Sequence, residues 1–441
     1  MPNQQIRTPR FYPDLVSYHR ARGSAIGTVA ATNAGTYKIG VQSGSADELF
    51  DLRPLNQVTF DTSADTDGHV LVNLVFDAAT YKQSYVAILN HNLKSAVGKI
   101  RIFAGGEAAD ITAVNGANAE AADINWATHV DAGNVNEITN ADTITKGAGS
   151  SQAEGTYSVV IEPSIDGTTV ITFPEQDLRY WGIQFEGNTS NTGAAINGTW
   201  GSTDLAVGGI MIGEFFDMPH APDMAVKKSI IYDHVDVQES LGGQRYSNAT
   251  SFGRAASATS KSPFTLGTSG QAVYGGRQVY DLSFSYLNAT DLIPAESSIY
   301  NFTDDTVISD VWNMVDGPAR PFIFSIDNTS GIVDSGSDLD EALTTSETAI
   351  DVDDSTDFEV GDIIYINSES MLVTSMITNV LTVTRGYFGT TATTHSNNDS
   401  IFIKKSSESA HMFARFGQQS LDMTQVANDI WNVSMRIEEE F

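Results

Sequence analysis

The side chains able to do chemistry in this chain of 441 residues are carboxylates and a few histidines, with no thiol among them. Asp351, Asp353, Asp354, Asp357, Glu359 and Asp362 crowd one short stretch, and a hard cation such as calcium wants several carboxylate oxygens in one loop. The EF-hand spacing fails there, because Thr356 stands where the loop needs glycine and Asp362 where it needs a bidentate glutamate. The run from Asp351 to Asp362 therefore reads as a solvated acidic turn leading into a strand at 362–366, and no metal is assigned. Eight histidines are scattered, and the pair nearest in sequence, His220 and His234, is too far apart for a one-helix zinc motif. The segment "LNHNLK" around His91 sets His beside Asn as HNH nucleases do. It closes an apolar strand with no metal-binding partner nearby, so an ordinary Asn/His turn is its reading. There is no GxSxG elbow, no P-loop and no GxGxxG after a strand. With 55 acidic residues an Asp/Glu dyad for glycoside cleavage is compatible with the chain, but nothing selects a pair. The absence of cysteine rules out disulfides, thiolate metal sites and cysteine nucleophiles. No catalytic residue and no cofactor is assigned, and the chain is read as not an enzyme.

The composition supports that direction. The formal charge is -31, from 24 basic against 55 acidic residues, and such a chain repels phosphate backbones, so nucleic acid is not expected as a partner. Only 18% of residues are charged, against roughly 25% in an average soluble protein, which leaves a surface of neutral Ser, Thr, Asn and Gly. Arg7, Arg10, His19, Arg20 and Arg22 form one mildly basic stretch, which suits contact with an acidic protein neighbour. No apolar run has signal-peptide length or the roughly 18 residues of a membrane span, so neither a leader nor membrane insertion is expected.

Period and punctuation place these groups on β-rich units. Tyr280, Leu282, Phe284 and Tyr286 alternate with polar residues as a half-buried antiparallel strand does. Over 304–315 the period changes, and Val307, Ile308, Val311, Trp312 and Val315 share a helical stripe between a Thr303/Asp304 cap and a Gly317-Pro318 stop. Alternation returns in "ARPFIFSID" and in Trp431, Val433, Met435 and Ile437, which predicts a C-terminal strand with Trp431 starting its buried face and Glu439 in an exposed acidic run. That order of strand, short helix, strand, distant partner strand and "DIWNVSMRIEEE" resembles the ring-forming domain of distal tail and related tail-hub proteins of tailed bacteriophages. Between its halves, 335–405 carries short alternating strands joined by polar turns, a small barrel-like β module. The string "VGDIIYINSESMLVTS…LTVTRGYFGTTATTHSNND" is similar to small β modules recurrent in phage tail proteins.

The first half reads as an N-terminal arm at 1–49, either reaching a neighbouring subunit or capping a sheet as a plain strand, and then a strand-rich unit at 50–218. Its strands are expected around 70–76, in "SYVAILNHNL" as a run buried on both faces, and at 98–103, 156–161, 168–173, 180–186 and 208–216. Many short strands with Gly/Asn turns mean a sandwich or jelly roll. With Arg179, Tyr180 and Trp181 leading one strand and Gly213 and Glu214 in the last, this unit resembles discoidin-like, galactose-binding-like jelly rolls. The resemblance implies a glycan-binding end, where Trp126 and Trp200 could stack on sugar rings, although a lone Trp in such a loop is more often a plug over the barrel end or an interface anchor. From 222 to 279 the chain reads as a long hairpin whose Gly/Ser-rich part has no core of its own and orders against a neighbour.

The fold class expected is all-β and multidomain: the arm 1–49, the jelly roll 50–218, a hub-like β-sandwich from 219–334 plus 406–441 carrying the hairpin 222–279, and the inserted module 335–405. The function that the resemblance implies is a phage virion component. It would be a ring-forming distal tail or baseplate hub protein, hexameric or trimeric, assembled in the host cytoplasm onto other tail proteins. The alternative is a carbohydrate-binding adhesin that touches host-surface glycan and is anchored by the hub-like half. A depolymerase is disfavoured because no β-helix repeat is evident.

Overall fold

The computed structural model describes residues 7–29, 38–64, 68–77, 82–105, 137–138, 143–146, 159–163, 166–188, 199–231, 235–249, 277–293, 307–328, 332–367, 369–387, 390–404 and 411–440. The protein is all-β and multidomain, built from several antiparallel sheets with a few short helices.

Two sheets make the sandwich of the first half. One runs in the order Thr28–Val29, His69–Val75, Tyr180–Gly187, Gly98–Gly105, Val159–Glu162 and Thr143–Lys146. The other runs Gly209–Gly213, Gln83–His91, Gly167–Gln176 and Glu137–Ile138. Alternate residues of the first, such as Val72, Leu74, Ile100, Ile102, Ile183 and Phe185, share one core with Val86, Ile88, Ile171, Phe173 and Ile212 of the second. The Phe173 and Trp181 rings stack across the gap at 5.5 Å.

Gln83–His91 is buried at every residue, as its unbroken apolar run predicts. The reason lies beneath it. Its other face, Tyr85, Ala87 and Leu89, packs on Tyr12, Ile323 and Phe413 of a third sheet. That sheet, the hub sheet, runs Phe216–Asp217, Arg10–Tyr12, Phe322–Ser325, His411–Phe416, Ile430–Glu439, Arg277–Leu287 and Lys227–Ile231, with Met423–Ala427 added beside Ile430–Glu439. Its far face carries Phe11, Phe324, Tyr280, Leu282, Phe284, Met435 and Ile437, in one core with Ile308, Val311 and Met314 of the helix Val307–Met314. The proposed cap at Thr303 and Asp304 lies outside the described residues.

Of the two readings of 1–49, the strand Arg10–Tyr12 follows the one that places it in a sheet of the same chain. It sits inside the hub sheet, paired on one side with Phe216–Asp217 and on the other with Phe322–Ser325. Phe216 and Asp217 likewise belong to this sheet and not to the strand of 208–216 expected from sequence. Pairings between partners some 200 to 300 positions apart leave no periodic signal in either segment. The basic residues of this stretch also pair within the chain. Arg10 grips Asp217 with two hydrogen bonds of 2.6 and 2.8 Å, Arg20 binds Asp47 and Arg22 reaches Asp316 at 3.2 Å, so these three are not reserved for a neighbouring protein.

Directly after this strand comes a tight junction. The Asp14 carboxylate caps the helix Leu15–Arg20 by accepting from the N–H groups of Val16 and Ser17, at 3.3 and 2.7 Å. It also accepts from the N–H of Ile212 in the overlying sandwich, at 3.2 Å. The Tyr85 hydroxyl donates to the Pro13 carbonyl at 2.9 Å. A Cβ on Gly213 would lie 2.6 Å from that same carbonyl, so only glycine fits there. Burial pushes the Asp14 carboxyl up to about 6, against the hydrogen bonds that pull it down.

At the C-terminus Trp431 packs against the core, as its place at the start of the alternating face predicts, while Glu439 departs from the exposed run expected for it. Trp431 is only half-buried, whereas Glu439 is 3% exposed and its Oε2 accepts the Gln278 N–H at 2.9 Å. Both residues have strand neighbours on each side, Glu439 by Ala414 and the end of Arg277–Leu287, Trp431 by Leu287 and Gln425, but the neighbour Met423–Ala427 beside Trp431 is itself largely exposed.

The module at 335–405 has a sheet and a core of its own. Its order is Ile332–Asp338, Ser400–Lys404, Ile363–Ile366, Glu369–Ile377, Val380–Tyr387 and Ala349–Asp351. Leu339, Ile350, Phe358, Ile364, Met371, Leu381 and Ile403 form a cluster distinct from the main core, with Ile363 and Tyr387 touching the latter.

Two outcomes follow from this packing. Ile332 pairs with Lys404 and Val333 with Ile403, which brings the ends of the module to about 5 Å, one interstrand spacing. Removing 333–403 with a short Gly/Ser join should leave a protein that still melts cooperatively, as read by calorimetry, whereas loss of the cooperative transition would show that the module holds the hub together. The second concerns Asp14. Because its folded value lies above the unfolded 3.8, its stabilising contribution is complete below about pH 4 and is lost as pH rises through about 6. Denaturant melts near pH 4.5 and pH 7.5 should show wild type losing roughly 2 to 3 kcal/mol more than Asp14→Asn across that window. Parallel pH profiles for the two proteins would contradict it.

Candidate assembly interface

The residues singled out for chemistry are brought into three structural settings. His91 is buried: its Nε2 lies 2.8 Å from the Thr169 hydroxyl and its Nδ1 faces the Leu93 N–H at 3.4 Å. Burial pulls it down to about 4, so it is a neutral turn residue at the end of Gln83–His91. In the acidic turn, Asp354 accepts from the N–H and hydroxyl of Thr356, which holds its carboxyl below the usual range, and Asp362 accepts from the Glu359 N–H at 2.7 Å. The strand following the turn is Ile363–Ile366. Among the described residues no three His, Asp or Glu side chains converge as a metal site would require. Trp200 is 3% exposed, donates its indole N–H to the Gly68 carbonyl at 2.7 Å and fills the space beside Gly98, so it is a plug and offers no sugar platform. Trp126 and His234 lie outside the described residues.

Two buried ionic clusters were not legible from motifs. On the outer face of the larger sandwich sheet Glu186 lies 2.9 Å from Arg101 and 3.5 Å from Lys99, and accepts from Gln184 at 3.0 Å. Burial lowers Lys99. It would raise Glu186, but the Arg101 and Lys99 charges bring that carboxyl below its ordinary value. In the inserted module Glu369 binds Arg385 at 2.7 and 2.8 Å, His395 at 2.9 Å and the N–H groups of Gly386 and Thr393. Burial alone would raise Glu369, yet the Arg385 hydrogen bond and these others hold it at about 2. A carboxylate, an arginine and a histidine are the parts of an acid–base site. Here each is engaged by the others, with His395 and Glu369 both fully buried, so the cluster pins strands together. The one signal for it in sequence was charge at positions of otherwise apolar strands.

What the chain leaves open is an edge. Lys227–Ile231 is the last strand of the hub sheet, paired with Arg277–Leu287 on one side, and among the described residues nothing pairs with its other side. Ile230 there is 56% exposed. The strand is followed by a separate hairpin, Val235–Glu239 with Arg245–Ala249, that among the described residues joins no larger sheet. Val237 and Tyr246 are 57% and 58% exposed, and Leu241 at the tip is fully exposed. The turn is held by its own backbone, with Gly243 at a φ of 79° and Ser240 and Gln244 bonded across it. A two-stranded hairpin with exposed aliphatic residues has no core to stabilise it alone. Of the long hairpin expected over 222–279, the base is formed by Lys227–Ile231 against Arg277–Leu287, and residues 232–234 and 250–276 lie outside the described residues.

Charge sets this region apart. Lys227, Lys228, Arg245, Arg254, Lys261 and Arg277 outnumber Asp223, Asp233, Asp236 and Glu239 in a chain whose net charge is -31. This edge and hairpin thus combine exposed aliphatic side chains with a local excess of basic residues on an acidic protein. No protein-family model matches the chain, and no curated protein is significantly similar to it.

Replacing Val237 and Leu241 together by Asp should shift the melting of dilute monomer by less than about 0.5 kcal/mol per site, since neither side chain is packed. The same double variant should raise the concentration needed for self-association, read by light scattering. A large drop in monomer stability would mean that the hairpin packs within its own chain.

Proposed function

We propose that this chain is a structural component of a phage virion, a ring-forming distal tail or baseplate hub protein that joins the tail tube to tip or host-binding proteins. The observation that carries the reading is the exposed edge strand and hairpin at the rim of an otherwise well-packed sheet, because such an edge is a liability in a monomer and an asset in an assembly. The order of strand, helix and strands in the hub sheet supports it, as does the inserted module with a core of its own, a unit suited to docking other tail proteins. The work of such a protein is assembly, and no catalytic group is called on. The sandwich of the first half would project from the ring. With Trp200 buried and Trp126 outside the described residues, neither tryptophan singled out for sugar stacking supports the adhesin alternative.

Native mass spectrometry with electron microscopy of the purified protein tests this. The expected result is one discrete closed oligomer, a trimer or hexamer, with ring-shaped particles. A chain that stays monomeric at high concentration, alone or mixed with tail-tube protein, would sink the ring assignment.

A further inference from the structure

The hub sheet ends at Phe216–Asp217 and Lys227–Ile231, and a further strand lying off that path, beside Ile430–Glu439, also has an unpaired side among the described residues. Met423–Ala427 pairs with Ile430–Glu439 on one side only among the described residues. Thr424, Gln425, Val426 and Ala427 are all exposed. The strand has five residues, as does Lys227–Ile231. Its ends carry exposed Asp422 and Asp429, and between Gly417 and Met435 there is no lysine or arginine. The edge at Lys227–Ile231 is thus cationic and aliphatic, and the one at Met423–Ala427 acidic and aliphatic.

Resting on the ring reading, we propose that these two edges are the halves of one interface: Lys227–Ile231 of each copy adds as a strand to Met423–Ala427 of the next. Strand directions agree with this. Lys227–Ile231 is antiparallel to Arg277–Leu287, which is antiparallel to Ile430–Glu439, which is antiparallel to Met423–Ala427. The first and last are therefore antiparallel to each other, and copies related by rotation about an axis near the strand direction meet as an antiparallel pair. With Ser229 opposite Gln425, Lys228 faces Val426, Lys227 faces Ala427 two positions before Asp429, and Ile230 and Ile231 face Thr424 and Met423. Backbone hydrogen bonds supply attraction, and the charges set which edge meets which. Pairing of two Lys227–Ile231 strands about a two-fold axis would bring the cationic regions of both copies together, which disfavours a dimer of that kind. The two edges are staggered along the strands, one beside Arg436–Glu438 and the other beside Ile430–Val433. Closure thus requires strands tilted to the ring axis, as strands of a closed barrel are.

The chain has no cysteine, which makes disulfide trapping clean. Copies with Ser229→Cys mixed with copies with Gln425→Cys should form a mixed disulfide dimer under mild oxidation, and neither variant alone should cross-link. Both substitutions in one chain should give a covalent ladder ending at the ring. In parallel, Lys227→Asp with Lys228→Asp should weaken assembly by about tenfold or more, and adding Asp429→Lys, at the end of the pair where Lys227 lies, should restore part of it. A discrete oligomer in native mass spectra that gives no 229–425 cross-link, cross-linking by Ser229→Cys alone, or charge reversal without rescue would overturn the edge pairing and leave the ring reading intact. A chain that is monomeric throughout would overturn both.

Discussion

A strand buried on both faces ties together whatever lies above and below it, and Gln83–His91 is that strand here. Val86 and Ile88 complete the core of the sandwich, while Tyr85, Ala87 and Leu89 complete the contact with Tyr12, Ile323 and Phe413 of the hub sheet. The hub sheet in turn has its far face closed by the helix Val307–Met314. Beside this stack Asp14 accepts hydrogen bonds from its own helix and from Ile212 of the sandwich, and Gly213 lets the Pro13 carbonyl approach. The layers are coupled by packing with a polar pin at the margin, and the pin stores an unfavourable buried charge at neutral pH.

Buried ions elsewhere follow a different rule. Lys99 and Arg101 share Glu186, and Glu369 shares Arg385 and His395, each carboxylate surrounded by donors. Pairs of this kind add little net stability over an apolar core, but breaking one side strands the other, which penalises alternative strand registers. In proteins made of many short strands, register is the property most easily lost, since a slip of one residue turns every side chain to the wrong face. Charges fixed inside the sandwich and inside the module act as register marks.

The sheets differ in how they end. Where strands have neighbours on both sides, the chain buries even a carboxylate, as at Glu439. At Lys227–Ile231, Val235–Ala249 and Met423–Ala427 it leaves aliphatic residues in water with basic residues around one edge and acidic residues around the other. Cysteine is absent, so no disulfide contributes to any contact the chain makes. On the proposed edge pairing, contacts between unlike surfaces would be head-to-tail and not two-fold.

The sequence alone determined the local texture: alternation at Tyr280–Phe284 and at Val433–Ile437, the helical stripe at Val307–Val315, the doubly buried run in "SYVAILNHNL" and the self-contained strands of the inserted module. These are short-range patterns, set by which face of a strand or helix meets apolar atoms. Only the tertiary structure decided where Arg10–Tyr12 belongs, that Arg10, Arg20 and Arg22 find their acids within the chain, that Trp200 is a plug, and that Glu439 is buried while Trp431 is half-exposed. Each of these depends on a partner far away in sequence. Burial of a residue is a property of what lies across from it, and periodicity along one strand says nothing of what that neighbour is.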